Sequence, residues 1–411
     1  MTLDPQWADL YRDLHANPEL SFQETRTAGL VAGRLRDLGF AVREGVGRTG
    51  VVGVLANGEG PVVALRADMD GLPLEERSGL PYASTARGVD PEGRDVPVMH
   101  GCGHDVHVTC LLAALTRLVA EREAWRGTLV AIFQPAEELG VGARTMVADG
   151  LWEQAPRPDV VLGQHVAVLP AGVIGIHPGP AYAGLDTVRI TLHGRGAHAS
   201  MPETAVDPVV LAASVVLRLQ TIVAREVSGF DFAVVTVGRL WAGTKANIIP
   251  DDAELLISVR SYLPHVRERV LAAITRITLG EAAAAGAPRE PTIEVIETVA
   301  ATVNDPAATD RTMDALRAAC GGRVVDNGAI PGSEDVGELA IAAGCPLVYW
   351  TLGGADPALF ADAGDDPAAI KRIAAGLPSN HSPKFAPVIE PTLSIGVDAL
   401  VGAARAWLGQ P

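Results

Sequence analysis

Apolar and polar positions along the first 170 residues alternate between two periods. Residues 5–15 and 22–38 carry apolar side chains at helical spacing; Leu30, Val31, Leu35 and Leu38 share one face, and Gly39 ends the second run. VVGVLA (51–56), VVALRAD (62–68), TLVAIFQ (128–134) and DVVLGQHV (159–166) are short, nearly continuous apolar runs. They predict strands buried on both faces. Residues 106–120 predict a helix with Val108, Leu111, Leu112, Leu115 and Val119 inward. Strands alternating with helices predict an α/β domain built on a mostly parallel sheet.

From residue 184 the rhythm changes. Strands are predicted at 186–194, 232–240, 253–262 and 292–299, with helices at 205–227 and 264–285. The order β-α-β-β-α-β is that of a ferredoxin-like α+β unit. The tail returns to α/β character, with helices at 306–320, 334–343 and 391–408 and a strand at 347–353. Residues 354–380 read as a long irregular connection, and loops of that length often serve a site. At 411 residues, two domains are the expectation. The predicted division is a larger domain in two parts, 1–183 and 300–411, with 184–299 inserted between them.

Polar groups gather where the apolar strands end. Arg66 and Asp68 close one strand, Glu137 and Glu138 follow the next, and His165 closes another. In an open α/β sheet, ligands bind beyond the carboxyl ends of the strands. Just before the 106–120 helix, VMHGCGHDVHVTC (98–110) holds three of the ten histidines and two of the four cysteines. Cys102 and His104, flanked by glycines, suit a borderline metal such as zinc, cobalt or nickel; manganese prefers oxygen donors. The pair is also compatible with a Cys–His nucleophile, or with a buried cysteine beside a hydrogen-bonded histidine. The adjacent carboxylates in QPAEELGVGA (134–143) are costly together unless a cation compensates one of them or solvent bathes the loop. His165 fits a core histidine as well as a ligand, and His381, in SNHSPKF, a surface histidine. Amide hydrolysis by two ions needs about five ligands and a base. Cys102, His104, Glu138, His165 and His381 supply five, and Glu137 the base. Asp68 reads either as a carboxylate orienting a ligating histidine or as a turn carboxylate. Asp105 fits a helix cap.

The formal charge of −16 opposes a phosphate-backbone partner, so no nucleic acid is expected. Four cysteines are not a disulfide framework. The first residues show no basic segment followed by an apolar one, and the apolar run 208–219 is too short to span a bilayer and contains Arg218. The expectation is a cytoplasmic protein with no membrane partner.

RADMDGLPL (66–74), MHGCGHDVH (99–107), QPAEELGVGA (134–143), GRGAHAS (194–200), NIIP (247–250) and HSPKF (381–385) stand in one order along the chain. Together they resemble the M20 family of dinuclear metallopeptidases and amidohydrolases, and within it the branch of N-acyl-amino-acid amidohydrolases, hippurate hydrolases and auxin-conjugate hydrolases. The resemblance implies two divalent ions per subunit (Zn, Mn, Co or Ni) with Cys102 shared between them. His104 and His165 would complete one ion's protein ligands, and Glu138 and His381 the other's. Glu137 would be general base and acid, with His100 and His107 supporting the ligands. The inserted domain would be a lid and dimerisation domain, giving a homodimer or larger homo-oligomer. His198 would stabilise the oxyanion, beside Asn247, and Arg260 would hold the substrate carboxylate or serve as a structural salt-bridge partner. The implied reaction converts an N-acyl amino acid into a carboxylic acid and a free amino acid. A dipeptidase using the same ions, and a non-catalytic metal-binding protein, are the alternatives. The block GSEDVGEL (332–339) lacks the aromatics frequent in that branch, which puts the acyl preference in doubt.

Overall fold

The computed structural model describes residues 4–364 and 366–411. They form two compact units. One comprises residues up to Ala181, Val303–Ala329 and Asp335–Pro411; the other comprises Tyr182–Thr302 and Ile330–Glu334. The five residues Ile330–Glu334 thus group with the inserted unit.

The larger unit carries an eight-stranded sheet in the order Ala41–Val46, Gly50–Asn57, Gly127–Gln134, Val62–Asp68, Val160–Pro170, Leu347–Ala355, Ile174–Gly175, Val324–Val325. The four strands from Gly127–Gln134 to Leu347–Ala355 are mutually parallel, and antiparallel neighbours flank them. Val63, Leu65, Leu129, Ala131, Phe133 and Leu162 are fully buried or nearly so, which is why these strands read as unbroken apolar runs. The helices Pro5–Ala16, Thr25–Asp37, His104–Ala120 and Thr392–Trp407 share one core with them. Arg66 pairs with Gly163, so two residues further on Asp68 and His165 stand level across the sheet.

The smaller unit is a four-stranded antiparallel sheet in the order Ala233–Ala242, Asp252–Ser261, Gly184–His193, Thr292–Val299. The helices Pro208–Arg225 and Pro264–Ala284 complete the expected split βαβ pattern. Strand alternation puts Ala253, Leu255, Ile257 and Val259 inward, against Leu211, Val215, Leu219 and Ile222 of the first helix. That helix outruns the apolar segment read from sequence. At 18 residues it is long and apolar enough to cross a bilayer, yet one face packs into this core.

Three expectations need correction. The strand containing His165 continues to Pro170, so the histidine lies within the strand rather than at its end. The stretch 354–380 is not irregular throughout: it contains a 3-10 segment, Pro357–Ala363, and a helix, Pro367–Ala374, each started by an aspartate accepting a backbone N–H. Its Asp365 lies outside the described residues. The helix expected over 334–343 begins only at Gly337, because Glu334 and Asp335 belong to the preceding turn.

Candidate metal centre

The helix His104–Ala120 starts on Gly103, whose φ of 83° is left-handed. A Cβ there would lie 2.3 Å from Val166 Cγ1, so only glycine permits this entry. Gly103, not Asp105, holds the cap position. Asp105 instead accepts from His15 Nδ1 at 2.6 Å, deep in the core. The tight turn places Cys102 and His104 on the same buried spot as His165, and the donor atoms of these three lie within 4.8 Å of one another. The donor atoms of Cys102, Glu138 and His381 satisfy the same limit. Donors about 2.0–2.3 Å from one ion lie within about 4.6 Å of each other, so each trio fits one ion. Cys102 belongs to both.

Hydrogen bonds set which ring nitrogens are available. His165 Nδ1 lies 2.9 Å from the Val166 carbonyl oxygen and donates to it, leaving the Nε2 lone pair aimed at Cys102 Sγ, 3.5 Å away. His107 is committed at both nitrogens: Nε2 accepts from the Val166 N–H at 2.8 Å, so Nδ1 donates to Asp68. Neither nitrogen keeps a free lone pair. His104 Nε2 and Glu138 Oε1 are buried without a hydrogen-bond partner among the described residues. Orphaned buried atoms of this kind need an explanation, and a cation supplies one. His381 Nε2 lies 3.2 Å from Glu138 Oε2. Asn380 donates to the Cys102 and Val166 carbonyl oxygens at 3.1 and 3.0 Å and lies 3.7 Å from the Cys102 sulfur.

The local charge also calls for a cation. Burial acts to lower His104, but Asp68, Asp70 and Glu138 lift it to about 10. Burial, then the charges of Glu138, Glu137 and Asp68, push the Cys102 thiol well up. The thiolate is the reactive and the ligating form alike, and a nearby cation favours it. Burial lowers His165 to about 4, which keeps its ring neutral and able to ligate.

Asp68 is placed differently from the sequence reading. Its carboxylate accepts from His107 and from Arg66 Nη1, the latter at 2.7 Å, rather than from the far nitrogen of a ligand. The carboxylate facing His104 Nδ1, at 3.3 Å, is Asp70. Burial would raise Asp68, but Arg66, His104 and His107 hold it well below the usual carboxylate range. Arg66 itself is fully buried, between Asp68, Gln134, Tyr349 and Asp335. His100 is buried, and its ring nitrogens have no hydrogen-bond partner, so it supports the ligands through no such bond.

The remaining expected residues lie in the smaller unit. Ala197–His198 pairs with Ile248–Ile249, and Ala199 N–H donates to the Asn247 carbonyl, so a short antiparallel ladder brings His198 and Asn247 side by side. His198 Nδ1 accepts from the Ser200 N–H at 3.1 Å, which leaves the proton of the neutral ring on the exposed Nε2. Arg260 Nη1 donates to the Pro331 carbonyl and to Ser333 Oγ at 3.1 and 3.0 Å. Reasoning from sequence missed Asn380, Asp335 and the N-terminal pair His15 and Glu24. Asn380, next to His381, and Asp335, within GSEDVGEL, carried a local signal; His15 and Glu24 carried none.

Residues 64–367 match the model of peptidase family M20/M25/M40. The chain belongs to this family. An N-acetyl-L-cysteine deacetylase of Bacillus subtilis is 38% identical over 66% of this M20 chain and 62% of its own length. Thermostable carboxypeptidase 2 of Saccharolobus solfataricus is 38% identical over 83% of this chain and 84% of its own. Among solved structures, a dinuclear metal-binding peptidase of the M20 family from Bacillus subtilis superposes with a TM-score of 0.78 at 28% identity, covering 98% of this chain and 97% of that one. The mixed sheet with an antiparallel insertion is the M20 fold.

Proposed function

We propose that this M20 chain is a metal-dependent amidohydrolase that cleaves N-acyl amino acids to a carboxylic acid and a free amino acid. The observation carrying the reading is the membership of Cys102 in both donor trios, beside a glutamate that the trios do not require. On this reading His104 and His165 would hold one ion and Glu138 and His381 the other, with Cys102 available to both. Thiolate and imidazole donors suit zinc, cobalt or nickel, with manganese a further possibility for the side held by Glu138. When bound, such ions polarise the scissile carbonyl and acidify a water molecule.

The chain's own residues do the rest. Glu137 Oε2, 3.8 Å from His104 Nε2, takes the proton from the attacking water and returns it to the leaving amine nitrogen. His198 offers its Nε2–H to the developing oxyanion, and Asn247 serves the same region. Asp68 holds His107 and Arg66 under the ligands. Arg260 is assigned to the substrate carboxylate; the two bonds that tie it to Pro331 and Ser333 use only one of its nitrogens. We read the protein as cytoplasmic, in keeping with four free thiols. We read it as a homodimer joined through the smaller unit. The strand Ala233–Ala242 is a sheet edge bearing exposed Leu240 and Trp241, and the helix Pro208–Arg225 exposes Val210 and Leu217.

Peptide-bond hydrolysis is the second reading, favoured by the thermostable carboxypeptidase relative. A panel of N-acyl amino acids and unblocked dipeptides, incubated with the manganese- or zinc-loaded enzyme and read by mass spectrometry, decides between them. Cleavage of the acylated compounds alone supports the amidohydrolase. Cleavage of the dipeptides alone replaces it with the peptidase, and a loaded enzyme that cleaves neither points to a non-catalytic metal-binding protein.

A further inference from the structure

The turn that presents Glu137 and Glu138 is held in an unfavourable shape. Ala136 sits at φ 50° and ψ 41°, a left-handed conformation that a residue with a Cβ adopts at a cost. Gly142 closes the turn by donating to the Ala136 carbonyl at 3.2 Å, and a Cβ on Gly142 would lie 1.7 Å from the Pro135 oxygen. The left-handed residue turns three successive N–H groups toward one side, an arrangement that binds anions. Here the chain fills it with its own carboxylates. Ala136 N–H donates to Glu24 Oε1 at 2.9 Å, and the N–H groups of Glu137 and Glu138 donate to the two oxygens of Asp70, each at 3.1 Å.

Both carboxylates are held in turn. Phe22 N–H donates to Glu24 Oε1 at 3.0 Å, Thr49 Oγ1 donates to Oε2, and Ser21 Oγ donates to Asp70 Oδ2 at 2.6 Å. Glu24 and Asp70 are 0% and 1% exposed. Two buried carboxylates side by side are an expensive way to satisfy three amides that a water-filled loop would satisfy freely. The expense is understandable if the direction of the two glutamates matters.

We propose that Glu24 and Asp70 are positioning residues, a carboxylate clamp that holds Ala136 left-handed so that the adjacent Glu137 and Glu138 both bring a carboxylate oxygen near His104 Nε2, at 3.8 and 3.9 Å. Both glutamates are thereby kept within one donor cluster, where on the proposed function one transfers the proton and its neighbour ligates. Glu24 comes from a segment with no ligand of its own, ahead of the helix Thr25–Asp37. The inference rests on the amidohydrolase reading.

The test compares Glu24→Ala and Glu24→Gln, each in the wild-type chain and in an Ala136→Gly background. It reads kcat and KM on an N-acyl amino acid, and manganese affinity by calorimetry. Misplacing a base by a fraction of an ångström should lower kcat of Glu24→Ala about 30-fold with KM within about twofold, and weaken one of the two ions about tenfold. Glu24→Gln should recover to within about threefold, since its carbonyl oxygen still accepts both N–H groups and its amide donates to Thr49. On the Ala136→Gly background the Glu24→Ala loss should shrink to about fivefold, because glycine takes the left-handed turn unaided.

A folded Glu24→Ala enzyme with kcat and both ion affinities unchanged overturns the proposal, as does an equal loss in the two backgrounds. Should Glu24→Ala not fold, Thr49→Val and Ser21→Ala remove the hydroxyls that orient the clamp. A drop of about threefold in kcat at constant KM is then expected, and no drop in either overturns it. If the wild type cleaves no N-acyl amino acid, the amidohydrolase reading has failed, while the calorimetric arm still decides the clamp.

Discussion

The two units fill their interiors in opposite ways. In the larger, Arg66, Asp68, Asp70, His104, Asp105, His107, Glu137 and His165 are all buried among apolar strands and helices. In the smaller, the core is aliphatic, from Val188, Ile190 and Leu192 through Leu255, Ile257 and Val259 to Val270 and Ile274. Asp186, buried there, accepts from Arg267 at 2.7 and 2.6 Å and from Thr298. An interior crowded with charged and ring-nitrogen groups is costly by itself and is retained where chemistry needs it; a mainly aliphatic interior serves the fold. Substitutions in the two interiors should therefore fail by different routes.

The largest effect is expected from Glu137→Gln, which removes the proton carrier and leaves the donors. Its kcat should fall about 10³-fold while both ions stay bound. Retained turnover in a fully loaded variant would remove Glu137 from its role. Next comes Cys102→Ala, which takes one donor from each trio and should weaken metal binding at least about 100-fold, read by calorimetry or by metal content after dialysis. Unchanged affinity would break the reading of Cys102 as a shared ligand. In the smaller unit, Leu255→Ala should destabilise folding by about 2–5 kcal/mol through the cavity it leaves, without altering metal stoichiometry. If metal content fell instead, the contrast between the two interiors would be wrong.

A further effect, on the pH dependence of stability, concerns His15. Burial opposes its charge, but hydrogen bonds to Asp105 and Glu76 raise it from 6.5 to about 10. A raised histidine contributes stability that is complete below about pH 6.5 and lost as pH rises toward 10. The stability difference between wild type and His15→Gln should accordingly shrink between those two pH values, measured by urea denaturation. A constant difference would show that the buried imidazole is not charged.

Periodicity revealed most of this architecture because the central strands are buried on both sides and the inserted unit alternates cleanly. It failed at short elements: Ala41–Val46 is an exposed edge strand with too few apolar residues to stand out, and Pro357–Ala363 is capped by a single aspartate. Cys102 and His104 were legible because cysteine and histidine are scarce and closely spaced there, whereas Glu138, His165 and His381 were assigned through the family resemblance. Their supports were not legible. Glu24 meets Ala136 across 112 positions, and His15 meets Asp105 across 90, distances over which local pattern carries no information. Asp70, two residues beyond the strand that Asp68 closes, reads from sequence as the weaker candidate of the two, yet it is the one that faces His104 Nδ1 and the N–H groups of Glu137 and Glu138.

His381 differs from its companions in one respect: its side chain is 57% exposed, whereas those of His104 and Glu138 are 0% and 7% exposed. On the proposed assignment, one ion is walled in and the other has a door. Lability then becomes unequal by construction. A chelator should strip the ion at His381 first, and a preparation left to stand should drift toward a half-loaded form long before it empties. The apparent metal preference of such an enzyme would report chiefly on what was last in the buffer.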